Sequence, residues 1–344
     1  KVSNSQVYGS QAKYYLGYIS YQQDDYEAAN QRFDQITDQD LLEEKLSYYQ
    51  ADMNFKLGKF EEAIALAKKQ LPKSDRKEVS ELNKIIGESY FNLKQYNNAI
   101  PYLEAYQGKG GKWSNTDFYL LGYCYYMQQD YANAVQQFNK IIDGTNSVSQ
   151  NAYYHLAECY LKLDKKQEAL NAFRNASQMD FEPKIQKDAF LNYARLSYEV
   201  GNAYEPVPQV ITNYLETYPN DEFQEEMQTL LVDSYITSKN FAGAMELLEK
   251  NKSYASKATY QKVAYYRGIE LFMESDYTGA SEVLEKSLKN AEDAKFETRA
   301  AYWKAEADYL LNRFDVAAKG FLSVKQNGAN RSQAEFSDED YRLD

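Results

Sequence analysis

One small residue recurs along the whole chain, and its spacing leaves few folds open. It falls at Ala29, Ala63, Ala99, Ala134, Ala169, Val207, Ala244, Ala280 and Ala317. The successive intervals are 34, 36, 35, 35, 38, 37, 36 and 37 residues. A period of that size sustained end to end denotes a stacked array. Each short unit then buries its apolar face only against its neighbours. A single-core globular domain would not carry such a period.

The unit reads as a hairpin of two helices, A and B. Helix A has a small residue at its middle: Gly17, Ala51, Gly87, Gly122, Ala157, Ala194, Gly268 or Ala305, with Val232 the exception. Helix B begins about nine residues later, after a short polar turn. Asp25, Asp130, Asn240 and Asp276 stand where an N-cap is needed, since each side chain can accept from the first free N–H groups. An aromatic follows the turn at Tyr26, Phe60, Tyr96, Tyr131, Tyr204, Phe241, Tyr277 or Phe314. The recurring alanine comes three residues on. A large apolar residue follows four further, as at Phe33, Leu103, Phe138, Phe173, Leu248, Leu284 and Phe321. Offsets of 0, +3 and +7 share one helix face. Small residues on both helices let the axes approach closely.

This small–aromatic–small–large order resembles the tetratricopeptide repeat family, whose unit is about 34 residues. The resemblance runs from about Gly9 to Val324. It implies an all-α fold, an α-solenoid in which about nine hairpins form a right-handed superhelix. Departures are local. Lys166 replaces the post-turn aromatic. Val207 replaces the alanine in a repeat that also carries one extra residue, with Pro206 and Pro208 at the start of its helix B. Proline is tolerable in a first helical turn, where the N–H lacks a partner anyway. A local change of stacking angle is expected there. Pro219 matches the family's helix-ending proline, and Pro101 is a mild perturbation within its helix B. Gln107 to Asp117, with three glycines, reads as the most open linker. Ser147 and Gln150 have the form of a capping box.

The expected organisation is the end of a preceding repeat over residues 1–8, nine repeats over 9–324, and a linker with the start of a tenth repeat over 325–344. Lys1-Val2 aligns with Lys140-Ile141 at the end of a helix B, and Ser337 to Asp344 falls where a tenth helix A would start. Together these ends suggest a piece of a longer repeat protein. Localisation is therefore left open.

Composition removes several classes of function. The net charge of 39 − 51 = −12 opposes nucleic acid and anionic lipid as main partners. No run approaches 18 apolar residues, so no membrane span is expected. Gly and Pro together number 21 of 344 residues, too few for a collagen-like or turn-dense chain. Hydrophobic content of 44% opposes wholesale disorder. Two cysteines cannot make a disulfide scaffold.

Catalytic constellations are scarce, and no catalytic, metal or cofactor site is expected. His155 is the only histidine, so any His-based triad or usual zinc site must use it. It reads as a partly exposed structural residue. Cys124 and Cys159 hold the same helix A position in adjacent repeats and read as buried small hydrophobes. Gly108-Lys109-Gly110-Gly111-Lys112-Trp113 is a poor phosphate loop. Trp113 stands where Ser or Thr is needed, Tyr106 replaces the first glycine, and no strand precedes it. It reads as a flexible inter-repeat loop. The pairs Glu43-Glu44, Glu61-Glu62 and Glu225-Glu226 suit helix starts, and Asp338-Glu339-Asp340 would open the tenth helix A.

In tetratricopeptide proteins the helix A faces line a concave groove that binds peptide segments. Its positions are spaced i, i+4 and i+7 on one stripe. The resemblance places Tyr14, Tyr18 and Tyr21 there in the first repeat, Tyr48, Asp52 and Phe55 in the second, and Lys84, Glu88 and Phe91 in the third. Next come Tyr119, Tyr123 and Tyr126; Tyr154, Glu158 and Leu161; Leu191, Arg195 and Tyr198; and Thr229, Asp233 and Ile236. The last two sets are Tyr265, Ile269 and Phe272, and Tyr302, Glu306 and Tyr309. Tyrosines at the first position are the better binding candidates, since those at the last often serve packing. Acidic residues in the middle would steer a partly basic partner, and tyrosine supplies rigid amphipathic contact area. Lys84 alone resembles the lysines with which some family members grip a C-terminal carboxylate, and no Asn holds the middle position.

The expected function is a non-catalytic scaffold whose partner is a protein or peptide of apolar and basic character. Self-association through exposed end repeats is allowed. Gly201 to Pro206 and Asn213 to Asn220 resemble segments of long bacterial multi-repeat proteins of the cell envelope, which implies a periplasmic or outer-membrane setting. Two alternatives remain. One is a glycan-binding outer-membrane protein that uses the helices as support. The other, more remote, is a helical-toroid enzyme with paired carboxylates.

Overall fold

The structure, a computed structural model, describes residues 9–36, 43–141 and 144–328. Eighteen α-helices fill these residues in consecutive pairs. The first five hairpins are α1 (Gly9–Gln22) with α2 (Tyr26–Asp34), α3 (Glu43–Lys56) with α4 (Phe60–Gln70), α5 (Arg76–Asn92) with α6 (Tyr96–Ala105), α7 (Asn115–Met127) with α8 (Tyr131–Phe138), and α9 (Ser147–Lys162) with α10 (Lys166–Ser177). The last four are α11 (Pro183–Val200) with α12 (Val207–Thr217), α13 (Gln224–Thr237) with α14 (Phe241–Lys250), α15 (Lys257–Met273) with α16 (Tyr277–Lys289), and α17 (Ala294–Leu310) with α18 (Phe314–Gly328). The fold is an all-α solenoid of helical hairpins. The chain divides into two compact units, with the boundary between Tyr193 and Ala194 inside α11. The proposed repeat remnant at Lys1-Val2 and the tenth repeat start from Ser337 onward lie outside the described residues, as do the side chains of Glu43 and Glu44.

Eight of the hairpins turn in three residues between helix A and helix B. The middle residue of each such turn is left-handed: Asp24, Gly58, Lys94, Gln129, Asp164, Lys239, Ser275 and Asn312, with φ between 56° and 75°. The third residue opens helix B. Where it is Asp25, Asp130, Asn240 or Asp276, its side chain accepts from the N–H three residues on, as expected. The cap thus satisfies one of the four orphan donors at each helix start.

Hairpin closure follows from the small residues. A methyl group at Gly17 would lie 2.6 Å from the Phe33 ring, one at Gly122 2.9 Å from Phe138, and one at Gly268 2.5 Å from Leu284. Glycine on helix A is therefore what lets the large residue of helix B seat. The recurring alanines Ala29, Ala63, Ala99, Ala134, Ala169, Ala244 and Ala280 are fully buried. The core includes small apolar clusters between successive hairpins, such as Ala99, Leu103, Leu121 and Cys124. Cys124 and Cys159 are buried and free, and burial pushes both thiols up to about 12.

Three local expectations need correction. The first concerns the sixth hairpin. Its α11–α12 turn has six residues, Gly201 to Pro206, and α12 starts at Val207. Tyr204, expected to follow the turn as the packing aromatic, sits in the turn and is 53% exposed. Asn202 shapes that turn by accepting from the N–H groups of Tyr204 and Glu205 at 2.8 and 3.2 Å. Val207 therefore holds the aromatic's place, and Val210, 1% exposed, holds the alanine's. Tyr214, fully buried, is the large residue. The intervals become 41 from Ala169 to Val210 and 34 from Val210 to Ala244, so the whole insertion is in the turn. Pro208 does fall in the first turn of α12.

The second correction is the cap of α9. Asn146, not Ser147, is the N-cap and accepts from Ser149 N at 2.9 Å. Gln150 is fully buried and bonds backbone further along: its amide donates to Ala176 O at 3.2 Å, and its carbonyl accepts from Glu182 N at 2.7 Å. Gln261 does the same in α15, joining Asp293 O and the N–H groups of Glu292 and Asp293. The capping box is instead Ser114 with Asp117 at the start of α7. The third correction is the glycine-rich linker. It is closed by a pairing of Lys109 with Lys112, and Trp113 Nε1 donates to Tyr106 O at 2.9 Å.

Candidate functional site

The presumed groove is the helix A stripe, and each unit presents its share differently. In the N-terminal unit the first and fourth hairpins fill the stripe with an aromatic ladder. Tyr14 and Tyr18 stack at 6.4 Å, and Tyr119 and Tyr123 at 5.9 Å. Burial raises these phenols: Tyr14 is pushed up to about 12, and Tyr48, Tyr119, Tyr126 and Tyr154 also rise well above the ordinary tyrosine value. Tyr21 rises too, first by burial and then by its hydrogen bond to Asp52. These groups remain neutral hydroxyls at physiological pH. They offer contact area and hydrogen bonds.

Sequence reasoning missed the residue that follows the first stripe position. Tyr49 leans onto the preceding hairpin's stripe, with ring centroids 6.4, 5.5 and 5.2 Å from Tyr14, Tyr18 and Tyr21. His155 does the same, 6.2, 5.1 and 5.0 Å from Tyr119, Tyr123 and Tyr126. Trp303 stands 5.0 Å from Phe272. A ring or imidazole at this fixed place in helix A was the available signal. Its consequence is that the stripes of the first, fourth and eighth hairpins are partly covered by the hairpin that follows. His155 is a packing residue of the stripe, with Nδ1 2.8 Å from Glu158 Oε2.

The stripe's charges in that unit are matched internally. Asp52 accepts from the Tyr21 hydroxyl and pairs with Lys56 at 3.0 Å. Lys56 also lies over the Tyr21 and Tyr26 rings, at 4.7 and 4.6 Å. Lys84 pairs with Asp117 at 2.9 Å and stands 3.6 Å from Glu88, so it is committed to α7 and does not face outward as a carboxylate grip. Burial raises Glu88, and the neighbouring Lys84 only partly offsets this. Tyr154 donates to Asp188.

The C-terminal unit is more open. Arg195 makes a two-pronged pair with Glu226, at 2.7 and 2.6 Å, and covers the Phe223 ring at 4.7 Å. Asp233 and Glu306 have no cation within ion-pair distance among the described residues. Asp233 lines a cleft of about 750 Å³ between α13 and α15, together with Gln224, Glu225, Gln228, Thr229, Ser256 and Thr259. Tyr265 is 5% exposed and packs against Phe296 at 5.3 Å, so it is a core residue and not a groove wall. Tyr302 is half-buried, and Tyr309 is exposed against Phe314 at 5.6 Å.

At the A–B turn, helix A's last stripe residue meets the aromatic that opens helix B. The pairs are Tyr21–Tyr26, Phe55–Phe60, Phe91–Tyr96, Tyr126–Tyr131, Phe272–Tyr277 and Tyr309–Phe314, with centroids 5.3 to 6.2 Å apart. In the sixth hairpin Tyr198 faces Val207 instead. A pocket of about 510 Å³ opens there, lined by Tyr198, Pro206, Val207, Pro208, Ser234, Thr237, Ser238 and Asn240.

No described helix is long and apolar enough to cross a membrane. Among the described residues, no three His, Cys, Asp or Glu side chains gather as a metal site.

Hairpins of this size, most with a small residue of helix A against a large one of helix B, define a helical-repeat protein. Two family models match the sequence. One, described as tetratricopeptide repeat, covers residues 14–78; the other, described as anaphase-promoting complex, cyclosome, subunit 3, covers residues 86–176. These matches support a tetratricopeptide-repeat protein. Solved structures similar to it include a MamA protein, 20% identical, spanning 52% of this chain and 93% of its own, with a TM-score of 0.42. A MamA from Desulfovibrio magneticus RS-1 is 17% identical over 49% of this chain and 94% of its own, at 0.40. YrrB, a TPR protein with an unusual peptide-binding site, is 18% identical over 56% and 95%, at 0.44. No curated protein matches the chain.

Proposed function

We propose that the chain is a non-catalytic scaffold that holds an extended peptide segment of a partner protein against its helix A faces. The cleft between α13 and α15 carries this reading. It opens about 750 Å³ along the stripe, and its lining includes Asp233 and Glu225 but no Lys or Arg. Amide and hydroxyl groups of Gln224, Gln228, Thr229 and Thr259 suit the backbone of an extended segment. The two carboxylates suit a lysine or arginine on it. Half-buried tyrosines of the stripe add contact area. YrrB's peptide-binding site supports a peptide as the partner class. A setting in a bacterial envelope complex is favoured by the resemblance of Gly201 to Pro206 and Asn213 to Asn220 to such proteins. Self-association could draw on exposed apolar groups of the terminal hairpins, such as Leu16 and Ile19 on α1 and Val316 and Leu322 on α18.

The test is selection from a displayed library of extended peptides. Wild type should enrich Lys or Arg at one fixed position. Asp233→Lys should weaken the selected peptides about tenfold or more, by losing a pair and adding repulsion. Selection of peptides with no basic preference, or equal affinity for Asp233→Lys, overturns the reading.

A further inference from the structure

We propose that the pocket beside Tyr198 is a receptor for a single aromatic side chain, a tyrosine or tryptophan, presented by a partner chain. The other hairpins show what this place ordinarily holds. Six of them fill this place with their own ring, the first residue of helix B, set against the last stripe residue of helix A. The sixth hairpin retains the helix A half of that pair. Its ring partner has been replaced by Val207, and Tyr198 has no other ring within stacking distance among the described residues. What remains is a space of about 510 Å³ at a place where this fold elsewhere packs an aromatic ring. A dry cavity of about 150 Å³ suffices for benzene, so a phenol or an indole has room.

The walls refine the chemistry. Tyr198 and Pro206, Val207 and Pro208 give an apolar face, and proline rings set against a tyrosine suit a flat guest. The opposite wall carries Thr237 and Asn240 together with two serine hydroxyls that have already spent their protons. Ser234 donates to Leu231 O at 2.7 Å, and Ser238 to Ser234 O at 2.8 Å. Each oxygen retains acceptor capacity. A guest ring with an O–H or N–H is therefore favoured over a bare phenyl. The pocket is continuous with the helix A stripe through Tyr198. That the guest ring belongs to a partner protein rests on the peptide-scaffold reading; that the pocket takes a ring does not.

The experiment uses 4-fluorophenol as the probe, followed by fluorine NMR on the whole chain without peptide. Saturable low-millimolar binding is expected, the range open to so small a ligand. 4-Fluorotoluene should bind several-fold more weakly. Val207→Tyr restores the ring pair of the sister hairpins and should abolish binding, with a melting temperature equal to or above wild type. That last readout separates a filled pocket from a misfolded one. In the peptide selection, an aromatic should be enriched at a fixed position by wild type and lost with Val207→Tyr. No saturable binding of 4-fluorophenol overturns the proposal, and so does equal binding by a folded Val207→Tyr protein. Binding that emerges only in Tyr204→Ala also overturns it, because the protein's own turn is then the occupant. Failure of the peptide selection with probe binding intact removes the scaffold reading and leaves the pocket standing.

Discussion

The fourth and sixth hairpins are built on one plan and differ at the turn. In the fourth, three residues join α7 to α8, Asp130 caps the second helix, and Tyr131 closes on Tyr126 at 6.2 Å. In the sixth, six residues join α11 to α12, Pro206 stands at the cap without a side-chain bond, and Val207 leaves Tyr198 without a ring. The inner seats are nevertheless equivalent: Ala134 and Phe138 in one, Val210 and Tyr214 in the other, all 1% exposed or less. A helical repeat can therefore alter its turn and surface while its buried pairs keep their places. A longer turn with room beside it is where such a repeat departs from packing and becomes available to a guest.

The largest test of this comparison addresses what the two hairpins share. Phe138→Ala and Tyr214→Ala each empty a fully enclosed seat and should each cost about 3–5 kcal/mol. Denaturant unfolding, with hydrogen exchange resolving the affected hairpin, provides the measurement. A cost for Tyr214→Ala below about 1 kcal/mol would break the equivalence and return the sixth hairpin to a different register.

The second test addresses what the fourth hairpin has alone. Asp117 closes the capping box with Ser114 and pairs with Lys84 from the third hairpin. Burial pushes its carboxyl up, but the bonds from Lys84 and Ser114 outweigh this and hold it below the usual aspartate value. A depressed folded pKa contributes stability above the unfolded value, about 3.9, and loses it as pH falls through the lower folded one. Asp117→Ala should cost about 2 kcal/mol at neutral pH. Its α7 should also lose the extra acid sensitivity of wild type below about pH 4, read by exchange protection across α7. Protection at α12 should be unaffected in both proteins. Unchanged acid sensitivity of α7 in the variant would assign the effect to another carboxylate.

Local chemistry explains what could be read from residues alone. A cap, a left-handed turn residue and a glycine against a ring act over four to sixteen positions, so Asp130, Asp276 and the Gly122–Phe138 pairing were legible. Tyr204 misled because it stands ten residues after Ala194, one more than the nine found elsewhere, so a single inserted residue sufficed to align it. Only the six-residue turn, held by Asn202, shows that it never enters a helix. The candidate site was less legible, because its charges are matched across hairpins. Lys84 with Asp117 and Arg195 with Glu226 are 33 and 31 residues apart, and no stripe pattern within one helix reveals them. His155 shows the same limit: its position is readable, and the three tyrosines it covers belong to the previous repeat.

The smallest test concerns the turns, where the two hairpins should respond with opposite signs. Gln129 holds φ at 62° in the fourth hairpin's turn, and Gly201 holds 76° in the sixth. A side chain in the left-handed region costs about 1–2 kcal/mol, because Cβ crowds the following carbonyl. Glycine there avoids that crowding and forfeits roughly 0.5–1 kcal/mol in backbone entropy. Gln129→Gly should accordingly stabilise α7 and α8 by up to about 1 kcal/mol. Gly201→Ala should destabilise the start of α12 by about 1 kcal/mol. An added Cβ at Gly201 meets nothing within 4 Å, so its cost is backbone strain with no contribution from packing. Hydrogen exchange at α8 and α12 reads both. If Gly201→Ala left α12 unchanged, the turn would be shown to relax freely, and the six-residue insertion would no longer define a fixed wall for the pocket beside Tyr198.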